Sequence, residues 1–180
     1  YFGGSAYTCG LCSDPHGPVT STIFTAPSAI AVDAAGSVFV AGVSNASDLP
    51  VSTAAYAPQC GCNNDVAEPF IAKLAAGGTG LVWGSYLPVQ DVSENQSPAI
   101  TGIALDLSGN VILSGKTGRG LPATAEAIQS SGLTPAGVSP AYSGFAAKLD
   151  TSGSQLLFAT YFGGSTELVS GGVNGVATDG

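Results

Sequence analysis

The chain repeats itself, and this constrains its fold more tightly than any single motif. Ala29 to Val38 (AIAVDAAGSV) returns as Gly102 to Val111 (GIALDLSGNV), and Gly175 to Gly180 (GVATDG) begins a third copy. The aspartates of the three copies, Asp33, Asp106 and Asp179, are spaced by 73 residues each time. A second block keeps step. Phe70 to Leu74 (FIAKL) matches Phe145 to Leu149 (FAAKL), and Leu81 to Leu87 (LVWGSYL) matches Leu156 to Phe162 (LLFATYF), both at a spacing of 75. Tyr1 to Ser5 (YFGGS) recurs as Tyr161 to Ser165, and Asp48-Leu49-Pro50 is echoed by Gly120-Leu121-Pro122. A fixed period of this length marks a supersecondary unit that buries its core by stacking on copies of itself. The chain divides into 1–28, the end of a preceding unit with a long connecting loop; 29–101 and 102–174, two full repeats; and 175–180, the start of a third.

Each repeat reads as four short strands. Ile30 to Asp33 is the first, and the Asp-x-x-Gly tetrad after it is a turn: Asp accepts backbone N–H groups and Gly tolerates a positive φ. Val38 to Val43, Phe70 to Leu74 and Leu81 to Leu87 supply the other three, with Gly77-Gly78-Thr79-Gly80 between the last two. The runs are nearly continuously apolar, which predicts sheets covered on both faces. Only Ala123 to Ser131 has room for a helical turn or two. The expected architecture is all-β: a β-propeller of four-stranded antiparallel blades, present as an incomplete segment of about two blades. A β-solenoid or a stacked sandwich is the alternative.

The AVDAAGSVFVAG segment, the SNASDLPVS loop, the PFIAKL strand and the YFGGS element resemble the bacterial β-propeller repeats of the SBBP type. The resemblance spans essentially the whole chain, apart from its long cysteine-bearing loops. It implies a propeller in a secreted or cell-surface protein, often large and multidomain, and implies no particular activity.

Composition narrows the function classes. Twelve acidic residues against four basic ones give a net charge of −8. Nucleic-acid binding needs clustered cations, and this chain has only Lys73, Lys116, Arg119 and Lys148. No run approaches the length of a membrane span. Abundant Ser and Thr, scarce Lys and two tight cysteine pairs favour an extracytoplasmic location. The chain opens at Tyr1, has no methionine and shows no polar terminal cap, so it reads as a piece of a longer repeat array.

Cys9, Cys12, Cys60 and Cys62 are the sharpest local feature. In a four-stranded meander the loop leading into a blade and the loop between its second and third strands share one sheet edge, so both pairs project from one face. The first loop is unusually long: 32 residues separate Tyr1 from Asp33, against 20 from Tyr86 to Asp106 and 18 from Tyr161 to Asp179. The simplest reading is two cross-loop disulfides, although a Cys9–Cys12 bond stays open. Zinc held by the cysteines and His16 is the alternative. Covalent haem is excluded because Ser13, and not histidine, follows Cys12. A redox CxxC lacks its βαβ context.

Other signals default to structure. Gly115-Lys116-Thr117 lacks the glycine spacing and helix of a P-loop. His16 is the one histidine, with no nucleophile motif around it. Asp48, Asp65, Glu68, Asp91 and Glu94 fall in predicted loops and read as a solvated acidic rim. Asp33, Asp106, Lys73 and Lys148 recur with the repeat and read as folding residues. Asn45-Ala46-Ser47 and Asn95-Gln96-Ser97 match glycosylation sequons. The functional expectation is a non-catalytic structural or interaction module without cofactor or metal. Its partners are other protein chains or the remainder of a longer chain. The alternatives are a glycan-binding module, with Tyr7, Tyr56, Tyr142 and Trp83 as stacking candidates, and a propeller lyase or hydrolase whose site lies outside this segment.

Overall fold

A computed structural model of the chain describes residues 3, 23–61, 67–89, 98–118, 120–132, 142–163 and 172–178. These residues build two four-stranded antiparallel sheets. Sheet one runs in the order β1 (Thr25–Val32), β2 (Val38–Ser44), β3 (Glu68–Leu74) and β4 (Leu81–Tyr86). Sheet two runs β5 (Ala99–Leu105), β6 (Val111–Thr117), β7 (Ser143–Leu149) and β8 (Leu156–Phe162). The described helical structure is one 3-10 turn, Ala76–Gly78, between β3 and β4. Residues 123–131, where the sequence leaves room for a helical turn, form turns and bends. Their backbone groups are drawn instead to β8, through Thr124 N–H to Ala159 C=O at 3.0 Å and Tyr161 N–H to Gln129 C=O at 3.0 Å.

The two sheets share their irregularities as well as their order. The first strand of each is bulged at the same repeat position, between Pro27 and Ala29 in β1 and between Ile100 and Gly102 in β5. The bulged residues are Ser28 and Thr101. Opposite each bulge the partner strand carries a glycine. A Cβ on Gly42 would lie 2.2 Å from the Ala26 carbonyl oxygen, and one on Gly115 would lie 1.9 Å from that of Ala99. Close backbone approach at a bulge leaves no room for a side chain.

The tetrad turns form as the sequence predicts. Asp33 Oδ1 accepts the N–H groups of Ala35 (3.0 Å) and Ser37 (2.8 Å), and Asp106 Oδ1 accepts those of Ser108 and Asn110 (2.9 Å each). Gly36 and Gly109 take φ of 82° and 81°.

The sheets pack face to face. Phe39, Ala41, Ile71 and Trp83 of sheet one join Val111, Leu113, Phe145, Leu149 and Tyr161 of sheet two in one buried cluster. The closest approach brings β1 and β2 onto β5. A smaller cluster of Ala46, Leu49, Ala57, Phe70 and Tyr86 lies under the β2–β3 loop. That loop runs along the outer edge of β4, with Ser52 N–H on Gly84 C=O (3.0 Å) and Tyr86 N–H on Ala57 C=O (3.1 Å). The β6–β7 loop covers β8 in the same way, so both outer edges are shielded from further strand pairing.

Coverage is unequal, which corrects the expectation that both faces of every sheet are buried. Ile30 and Val32 on β1 are 68% and 60% exposed. Apolar sequence was read as evidence of coverage, but it states only what the face requires: the β2–β3 loop covers this face at Phe70 and Tyr86 and leaves Ile30 and Val32 exposed.

Candidate functional site

The polar groups that recur with the repeat are spent on holding it together. Lys73, in the middle of sheet one, reaches back to Asp33 at 3.1 Å, and Lys148 reaches Asp106 at 2.6 Å. The Ser37 N–H leads in holding the Asp33 carboxyl below the usual carboxylate range. For Asp106 the Lys148 ammonium leads, with Asn110 adding, and the depression is larger. Lys73 also lies 4.8 Å above the Phe39 ring. Each lysine therefore ties the β1–β2 type turn to the third strand of its sheet.

A tyrosine does the same for the long loops. The Tyr86 hydroxyl donates to Ala46 C=O (2.6 Å) and accepts from Leu49 N–H (3.2 Å); the Tyr161 hydroxyl accepts from Leu121 N–H (2.6 Å). Beside them Ser85 Oγ accepts from Ala57 N–H and Thr160 Oγ1 from Gln129 N–H, at 3.0 Å each. The Asp48-Leu49-Pro50 and Gly120-Leu121-Pro122 echo thus has a cause: each Leu N–H is the anchor point for a buried phenol. Burial pushes Tyr86 up to about 12; the Leu49 hydrogen bond opposes this and the charges of Asp48 and Glu68 reinforce it.

Glu68 departs most from expectation. It was read as one of five rim carboxylates in loops, yet it is the first residue of β3 and is 3% exposed. Its Oε2 accepts the Gly61 N–H at 2.9 Å. Burial raises the carboxyl to about 7, against the lowering hydrogen bonds from Gly61 and Val89. The register that places Glu68 opposite Ser44 extends β3 two residues before Phe70, where the apolar run begins. Its counterpart in sheet two, one 75-residue step on, is Ser143. Asp48 is exposed, as a rim residue should be. Asp65, Asp91 and Glu94 lie outside the described residues.

Cys60 lies directly before Gly61 and is disulfide-bonded. Cys9, Cys12, Cys62 and His16 lie outside the described residues, as do Tyr7, Arg119, Asn95 and Asp179. Among the described residues no group of three His, Cys, Asp or Glu side chains converges as a metal site.

Asn45, the first residue of a sequon, is turned inward in the fold. It is 5% exposed, and its Oδ1 accepts the Phe24 N–H at 2.8 Å, pinning the entry to β1. The proposed stacking aromatics are also engaged. Trp83 is 5% exposed, meets Phe39 edge-on at 6.2 Å and donates its indole N–H to Thr151 C=O at 3.0 Å. Tyr56 is half-buried against the shared core, and Lys116 lies 4.7 Å over the Tyr142 ring.

What the side chains build most clearly is a joint between repeats. The hydroxyl of bulge residue Ser28 donates to Ile100 C=O at 2.7 Å. The hydroxyl of bulge residue Thr101 donates to Val173 C=O. Donor and acceptor both advance by 73 residues, so the same bond is made twice at the period of the sequence. The repeat alignment begins one residue later, at Ala29 and Gly102, and so misses both hydroxyls; the bulge shows why they matter, because it turns that side chain out of the ladder toward the next repeat. The chain matches no protein-family model and no curated protein.

Proposed function

We propose that the chain is a non-catalytic structural and protein-interaction module. In this reading it is about two blades of an extracytoplasmic β-propeller, acting as an accessory or scaffold part of a larger protein, complex or extracellular assembly. The observation that carries the reading is the repeated hydroxyl–carbonyl joint, Ser28 to Ile100 and Thr101 to Val173. A joint made at a constant step sets a constant displacement between successive sheets, which is the condition for stacking blades around an axis. The closest approach at β1, β2 and β5 supports the same arrangement, with first strands innermost. The recurrent Asp–Lys pairs and buried tyrosines, which hold turns and loops, are what a scaffold needs.

The extracytoplasmic part of the proposal rests on the Ser/Thr-rich, lysine-poor composition and on the disulfide at Cys60. Among the described residues no helix is long and apolar enough to cross a membrane. The test is electron microscopy of the native assembly to which the chain belongs. A closed ring of radially placed sheets is expected; a linear stack of sheets with no central axis would sink the propeller reading.

A further inference from the structure

One end of sheet one gathers separate pieces of chain around a single carboxyl. Glu68 opens β3, opposite Ser44 of β2, and is 3% exposed. From the β2–β3 loop the Gly61 N–H donates to its Oε2 at 2.9 Å, and a Cβ on Gly61 would lie 2.8 Å from its Oε1. The loop backbone thus rests directly on the carboxyl, a closeness that a glycine accommodates. The Val89 N–H donates to the same carboxyl, and the Leu87 N–H donates to Pro69 C=O at 2.9 Å. The chain leaving β4 is therefore bound to the start of β3 as well. Cys60, next to Gly61 and disulfide-bonded, is half-buried against the Ala46, Leu49, Ala57, Phe70 and Tyr86 cluster. Whatever holds Gly61 down on the carboxyl also holds the disulfide down on that cluster.

The surroundings suit a neutral carboxyl better than a charged one. The titratable groups of the described residues around this end are Asp48, Tyr56 and Cys60 of the β2–β3 loop and Tyr86 of β4, whose hydroxyl feels the charges of both Asp48 and Glu68. From β2 comes Ser44, and from the chain after β4 come Leu87 and Val89, none of which titrates. None of these groups is a cation. The described lysines are engaged elsewhere: Lys73 with Asp33, Lys148 with Asp106 and Lys116 over Tyr142. A carboxylate buried without a cation costs free energy that two N–H donors do not offset. Sheet two has Ser143 opposite Thr117 at these positions, so its own long loop rests on no carboxyl.

We infer that Glu68 is a pH-sensitive latch on the loop that carries the Cys60 disulfide. With a proton on the carboxyl, Gly61 and Val89 close over it and the disulfide lies on the cluster of Phe70 and Tyr86. Without the proton, water is drawn to the charge, and the loop lifts and opens the disulfide to solvent. The direction follows from linkage. Burial raises the carboxyl from 4.5 to about 7 in the closed form, so closure is strongest below 4.5 and is lost as pH rises through about 7. The latch lies within sheet one and its loops, so it stands or falls independently of the propeller reading.

Site-resolved hydrogen exchange at pH 5 and pH 8, on the full chain and on Glu68→Gln, tests this. Protection factors remove the intrinsic pH dependence of exchange. The wild-type Gly61 amide should lose roughly fiftyfold in protection between the two, as linkage requires of a carboxyl that moves between these two environments. Glu68→Gln should abolish the loss, because glutamine keeps an acceptor oxygen and cannot ionise. The Gln129 N–H, which Thr160 Oγ1 holds in the β6–β7 loop, is the control and should keep its protection. Reduction by a water-soluble phosphine is a second readout; it converts the disulfide and one water into two thiols and the phosphine oxide. From pH 5 to pH 8 the wild-type rate at Cys60 should rise about tenfold or more relative to that of Glu68→Gln. Gly61 protection that is equal at both pH values, a loss that persists in the glutamine variant, an equal loss at Gln129, or reduction rates that stay parallel would each overturn the proposal. The wild-type series and its Gln129 control need no variant, so the test holds even if Glu68→Gln folds poorly.

Discussion

Sheet one and sheet two are built from the same repeat, pair in the same register and bulge at the same repeat position, yet they are stabilised differently. Sheet two has a covered face, where Val111, Leu113 and Leu149 are fully buried; on sheet one their counterparts Val38, Val40 and Leu74 are half-buried, and Ile30 and Val32 beside them are exposed. Sheet one in turn holds the anchor of the joint, Trp83, where sheet two has Phe158. Their third turns also differ. Between β3 and β4 the chain uses Gly77 and Gly78 at positive φ, while between β7 and β8 Asp150 collects the N–H groups of Ser154 (2.7 Å) and Gln155 (2.8 Å). Burial pushes the Asp150 carboxyl up, but the hydrogen bonds from Ser152, Gln155 and Ser154 together bring it below its usual value. That turn is where sheet one rests: Trp83 donates to Thr151 C=O, and Tyr56 N–H donates to Gly153 C=O at 2.8 Å. The difference teaches that a repeat's stability belongs to its neighbours as much as to its own sequence.

The largest expected effect comes from removing that anchor. Trp83→Ala should cost about 3–5 kcal/mol in guanidinium unfolding. Phe158→Ala at the same repeat position should cost roughly half as much, because its ring is half-buried and lacks the inter-sheet hydrogen bond. Equal losses would mean that the two positions are equivalent and that the joint does not depend on the indole.

Next is the charge that sheet two lacks. The folded pKa of Glu68 is raised from 4.5 to about 7 by burial, so the folded state holds the proton more tightly than the unfolded chain does. The stabilisation is complete below about pH 4.5 and is lost as pH rises through 7, on the order of 3 kcal/mol in all. Unfolding measured at pH 5 and pH 8 should show the wild type weakening with pH. Glu68→Gln should remove that slope and make the chain more stable than wild type at pH 8. A wild-type slope that survives in the glutamine variant assigns the titration elsewhere. Asp33, Asp106 and Asp150 act in the opposite sense, with stability present above the unfolded carboxylate range and lost as pH falls through their depressed values.

Tyr86→Phe should cost about 1–3 kcal/mol, since it leaves the buried Leu49 N–H and Ala46 C=O unpaired. Tyr161→Phe leaves the Leu121 N–H unpaired and should cost a comparable amount. Hydrogen exchange at Leu49 and Leu121 reads the two losses separately; faster exchange at neither would show that the loops are held by packing alone.

The smallest expected effect is Ser28→Ala, about 1 kcal/mol. It should fall on the joint, as accelerated exchange of β1 and β5 amides, and not on β3 or β4. A uniform loss across sheet one would make the hydroxyl an ordinary strand contact.

Much of this was legible beforehand. Periodicity revealed the eight strands in order, the Asp-x-x-Gly turns and the recurrence of Lys73 and Lys148, because backbone pairing and turn chemistry are local and a repeat states them twice. Glu68 was missed because strand boundaries were drawn at the apolar run, and a carboxylate before Pro69 looks like loop. Asn45 matched a sequon, since a triplet says nothing about the burial of its first residue. Trp83 stood among the stacking candidates, because its partner Thr151 lies 68 residues away on the other sheet.

The sequence by itself determined the repeat unit, its four strands and its two tight turns, all of which follow from local hydrogen bonding and from short, nearly continuous apolar runs. Only the tertiary structure decided which apolar face is covered, which carboxyl is buried, and that the bulge hydroxyls join one repeat to the next. Those outcomes depend on what lies across the gap between sheets, and residues distant along the chain meet there only after the sheets have stacked.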